Sequence, residues 1–143
     1  MNKNSVQDIA DLIFNVWKGI DVSSFVGDRQ REVLRVAMNE EVSITLIFND
    51  KMHFWVLIAE REVGHLSEHM RDRLIEALID TTSHSRYDEG LTVGLTAEQK
   101  ISVSKILVDV SVKQDIINSI QRLFSVIMGN RYENKIDSSY VIV

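Results

Sequence analysis

The sequence predicts an α+β fold: three helices against an antiparallel five-stranded sheet, in the order helix, three strands, helix, two strands, helix. Three observations carry this prediction. Residues 42–59, VSITLIFNDKMHFWVLIA, have the β-branched and aromatic content of a β-hairpin around Asn49, Asp50 and Lys51. Leu91, Val93 and Leu95 alternate with Thr92, Gly94 and Thr96 ahead of a further strand at 100–110. Residues 113–128 set Ile116, Ile117, Ile120, Leu123, Phe124 and Ile127 on one side of a helix and polar residues on the other, with Gly129-Asn130 as its stop.

Along the chain, Ser5 is positioned to cap a first helix that runs to about Lys18. Its apolar residues cover an arc of roughly 200°, twice what one-sided packing requires, so Phe14 and Trp17 form an apolar margin that a partner can use. Residues 19–30, GIDVSSFVGDRQ, read as a connection. An outer strand follows at 31–38, with Val33 and Leu34 on its two faces as further partner-binding candidates. Asn39-Glu40 turns into the hairpin. A three-residue hairpin turn aligns Leu46 with Phe54, Ile44 with Val56 and Val42 with Ile58 in one apolar face. The opposite face then carries Ile47, Trp55 and Leu57 beside Ser43, Thr45 and His53, and a solvated sheet face seldom holds Trp and Leu. That face is expected to bind another polypeptide.

Ser67 caps a second helix to about Asp80, with Leu66, Met70, Leu74, Ala77 and Leu78 toward the sheet. Ile75 and Ile79 form a separate stripe, and with Leu91, Val93 and Leu95 they make the expected homodimer interface. Residues 81–90, TTSHSRYDEG, read as a polar loop, and a phase slip near Ser104-Lys105 predicts a bulge. Residues 1–130 are read as one domain and 131–143 as a flexible tail, polar up to a final SYVIV.

Composition narrows the function classes. With 143 residues, 16 basic, 21 acidic and no Cys, the chain carries a formal charge of −5 and excludes disulfides, zinc-thiolate sites and cysteine nucleophiles. No basic cluster is present to follow a phosphate backbone, so nucleic acid is not an expected partner. No apolar run suits membrane insertion, and MNKNSVQD lacks the features of a secretory signal, so a cytoplasmic protein is expected. No catalytic or metal residues and no cofactor are assigned. His65 and His69, four apart, lack the glutamate and third ligand of a zinc-protease motif. Ser83-His84 stands in the expected loop without a triad's geometry, and Asp8 with Asp11 and Asp88 with Glu89 read as solvated faces.

The element order, the hairpin SITLIFNDKMHFWVLI, the helix HMRDRLIEALID, the strands GLTVGLT and KISVSKILVDV and the closing helix DIINSIQRLFSVIMGN together resemble the class I chaperones of bacterial type III secretion. The likeness is to the Tir-chaperone family, particularly its multi-effector members, over residues 5 to 130. It implies a bacterial, cytoplasmic homodimer that is not an enzyme. Such a protein binds the N-terminal region of secreted virulence effectors in extended form and keeps them competent for export. A scaffold or adaptor that binds a folded partner, such as the secretion ATPase, is the alternative.

Overall fold

The computed structural model describes residues 3–18, 20–26, 32–49, 54–95, 98–108 and 113–129. Among them lie helices α1 (Lys3–Val16), α2 (Glu68–Glu89) and α3 (Lys113–Ile127) and strands β1 (Asp21–Val26), β2 (Glu32–Ala37), β3 (Val42–Asn49), β4 (Phe54–Glu62), β5 (Thr92–Leu95) and β6 (Lys100–Val108). The strands form one antiparallel sheet of six in the order β1-β2-β3-β4-β6-β5. The α+β class and the three helices are as expected from the sequence. The strand count is not: β1 arises from DVSSFV, inside the expected connection. Its serines and aspartate suit an edge strand, and Val22 still reaches the core.

Local chemistry explains several element boundaries. Asn39 Oδ1 accepts from the backbone N–H groups of Glu41 and Val42, both at 2.8 Å, which closes the β2–β3 turn. Ser67 Oγ accepts from Met70 N–H at 3.2 Å, the cap expected for α2. Helix α1 instead begins at Lys3, so Ser5 falls inside its first turn. Helix α2 continues through the residues expected as a polar loop. Thr82 is buried there and donates its hydroxyl to the carbonyls of Leu78 and Ile79, so a polar side chain enters the interior with its bond made inside the helix. Gly90, at φ 66, then ends the helix, and Gly129, at φ 74, ends α3.

The largest correction concerns the hairpin. The observed pairs are Phe48 with Trp55, Leu46 with Leu57, Ile44 with Ala59 and Val42 with Arg61. Each β3 residue meets a β4 residue three positions later than expected, and an odd shift exchanges the two faces of β4. Trp55 and Leu57 therefore lie in the core, 1% and 0% exposed. Phe54, Val56 and Ile58 occupy the opposite face. Trp55 packs its ring against Phe48 with centroids 5.0 Å apart. The expected bulge in β6 is also absent from its pairing with β4, which runs unbroken through Ser104 and Lys105.

All three helices bury apolar side chains in one cluster on one sheet face: Ile9 and Ile13 of α1, Leu78 of α2, and Ile116, Ile117, Ile120 and Leu123 of α3. They meet Leu34, Val36, Ile44, Leu46, Leu57, Ala59, Ile101 and Val103 of the sheet. Met70, expected in the sheet-facing stripe of α2, is instead exposed. Trp55→Ala is expected to cost about 3–5 kcal/mol of stability in urea unfolding, while Ile106→Ser, on the other face, shifts it by about 0.5 kcal/mol or less.

Candidate partner-binding surface

The sheet face turned away from the helices carries an apolar band. Register aligns Val33, Ile47, Val56 and Ile106 across four strands, and Phe54 and Ile58 flank Val56 on the same side of β4. None of these six belongs to the core cluster. Val33 is buried at 6% exposure, Ile47, Phe54, Val56 and Ile58 are half-buried, and Ile106 is 58% exposed. An isolated exposed isoleucine is ordinary on a protein surface; a register-aligned band continuous over four strands is a candidate contact surface.

The expected partner-binding residues are thus divided. Val33 and Ile47 share the strand parity of the face turned from the helices, but Val33 is buried at 6% exposure and only Ile47 is partly accessible. Leu34, Trp55 and Leu57 are core residues, removed from any contact surface by the parity of their strands. Phe14 is exposed on α1, in keeping with the apolar margin read there. Trp17 packs partly on the core and lines an open cleft of about 560 Å³ with Ile20, Ala37 and Met38 at the β2–β3 turn. The residues missed by sequence reasoning are Phe54, Val56, Ile58 and Ile106. A period-two pattern does not assign the first three, since both parities of FWVLIA are apolar.

The expected dimer residues divide too. Ile79 on α2 and Leu95 on the edge strand β5 are exposed, at 51% and 65%. Ile75 and Val93 are half-buried against the core, and Leu91 is buried in it. Four of the six residues of the sequence-expected tail end, Ser138 to Val143, are apolar or aromatic, but positions 130–143 lie outside the described residues, as does the expected mobility of that tail.

Charged chemistry concentrates at the end of the sheet near the β2–β3 turn. Arg61 is on the helix face of β4, its side chain only 11% exposed. Its Nε donates to Glu41 Oε2 at 3.1 Å and its Nη1 to the Ile127 carbonyl at 3.1 Å, so one cation ties β4 to the β2–β3 turn and to the C-terminal, negative end of α3. His65 Nε2 lies 3.3 Å from the other oxygen of the same carboxylate. Arg71 Nη1 donates to Gln99 Oε1 at 3.1 Å, beside the left-handed backbone of Gln99 at φ 62. Lys113, at the start of α3, pairs with Asp8 in the middle of α1 at 3.1 Å across exposed side chains.

Scans against protein-family models, curated proteins and solved structures find no match to this chain. Among the described residues, no three His, Cys, Asp or Glu side chains are grouped to hold a metal, and no helix is long and apolar enough to cross a membrane. His65 precedes α2 and faces Glu41, while His69 lies on the exposed side of that helix's first turn.

Arg61→Met removes charge-assisted bonds to two partners and leaves the α3 carbonyl without this donor. It is expected to lower stability by about 1.5–3 kcal/mol in chemical denaturation. Gly90→Ala, where a Cβ meets no atom within 4 Å, is expected to cost about 1–2 kcal/mol through backbone strain alone.

Proposed function

We propose that this chain is a non-enzymatic chaperone of the type III secretion kind, which binds the N-terminal region of secreted effectors in an extended form. The observation that carries the reading is the apolar band Val33–Ile47–Val56–Ile106 on the sheet face opposite the helices. Such a band suits an extended client, whose alternate side chains can enter the rows between strands while its backbone lies across them. The resemblance in element order supports the same reading, and the additional edge strand β1 sets this chain apart from the expected five-stranded plan. The second partner is another copy of the chain, held through exposed Ile79 and Leu95 in a cytoplasmic homodimer.

Two measurements test this. Val56→Asp with Ile106→Asp is expected to leave the melting temperature near that of the wild type and abolish co-purification with the N-terminal region of a co-expressed effector. Retention of the client at wild-type levels contradicts the assignment. Ile79→Asp with Leu95→Asp is expected to convert a dimer into monomers in light scattering, and a wild-type monomer at micromolar concentration contradicts the dimer. The alternative, an adaptor for a folded partner such as the secretion ATPase, predicts hydrogen-exchange protection confined to one compact patch rather than spread along the band.

A further inference from the structure

Two hollows meet at the β2–β3 turn and share Ala37, Asn39 and Glu40 as a common wall. The larger, of about 560 Å³, has an apolar side made by Trp17, Ile20 and Met38, which pack only partly on the core. The smaller, of about 130 Å³, lies over the end row of the open face. That row aligns Asp21, Ala37, Ser43 and Glu60 across four strands. Two small side chains between two acidic ones leave a trough floored by Ala37 and Ser43. At the ordinary spacing of strands, the backbones of Asp21 and Glu60 stand roughly 14 Å apart.

Charge sets what this trough accepts. The two hollows are bordered by five carboxylates, Asp21, Glu40, Glu41, Glu60 and Glu62, and by two lysines, Lys18 and Lys100. Glu41 is already held by Arg61, so four carboxylates stand against two lysines. Lys100 is aligned with Glu62 in the β4–β6 ladder, at the rim away from Trp17. Among the described residues, neither Glu40 nor Glu60 makes an ion pair. Carboxylates alone would draw any cation; the adjoining Trp17 cleft selects one that carries an apolar neighbour. Arginine suits the trough better than lysine, because its flat guanidinium can lie on Ala37 and Ser43 and present paired donors to a carboxylate.

We propose that this end of the sheet is a second peptide-binding site, for a partner segment in which an arginine adjoins a bulky apolar residue. The arginine lies in the trough beside Glu40 and Glu60, and the apolar side chain enters the cleft of Trp17, Ile20 and Met38. The site is separate from the apolar band, and its test uses no effector, so it stands or falls independently of the chaperone reading.

The test titrates the 15N-labelled full chain with a capped hexapeptide, Gly-Ser-Leu-Arg-Ser-Gly, and follows amide and indole resonances. The expected result is saturable shifts of the Trp17 indole and of the Ala37 and Ser43 amides. Replacing the peptide's Arg by Gln, or its Leu by Ala, is expected to weaken binding about tenfold. Glu40→Gln with Glu60→Gln is expected to do the same while circular dichroism is unchanged. Shifts that do not saturate, shifts confined to Val56 and Ile106, or equal binding of the three peptides to the wild-type chain overturns the proposal. So does the same pattern of shifts with spermidine, which would show attraction of cations alone.

Discussion

The parity of β4 is the constraint on which the other features depend. Its run FWVLIA offers two apolar faces of similar hydrophobic content, Trp55, Leu57 and Ala59 against Phe54, Val56 and Ile58, each large side chain worth about 1.5–3 kcal/mol when buried. Burial alone therefore decides little between them. The charges that follow decide more. In the observed parity Arg61 turns to the helix face, where it meets the carboxylate of Glu41 and the Ile127 carbonyl at the end of α3. The opposite parity would direct Glu60 and Glu62 at that same negative helix end, a repulsion in place of an attraction of about 0.3–2 kcal/mol. The ring contact of Trp55 with Phe48 adds a second preference of the same sign.

From that one choice the rest of the surface follows. Placing Trp55 inward places Val56 outward, in line with Ile47 and Ile106, and so creates the open band. Arg61 also fastens the C-terminal end of α3 beside the β2–β3 turn, at the polar end of the sheet. Core packing and candidate function are thus two consequences of a single register.

Much of the architecture was legible in the residues. The amphipathic pattern of α3 and the Ser67 cap acted locally and were read correctly, as was the Asn39 turn. What escaped depended on partners distant in sequence. DVSSFV becomes a strand because β2 supplies a ladder and the core accepts Val22, neither of which its own composition announces. Residues 81–89 are a local exception: the helix continues through them, and Thr82 is accommodated in the interior by bonding back to the Leu78 carbonyl, which residue type alone does not specify. The hairpin face was misassigned because alternation carries no information where both parities are apolar. Trp55 and Leu57 consequently moved from candidate contact surface to core, and Val33 and Ile47 gained Val56 and Ile106 as neighbours.

The register itself is the most direct thing to measure. Cross-strand backbone nuclear Overhauser effects in the isotopically labelled protein are expected to link Ile44 with Ala59 and Leu46 with Leu57. Contacts of Ile44 with Val56 and of Leu46 with Phe54 would turn Trp55 outward and contradict the account.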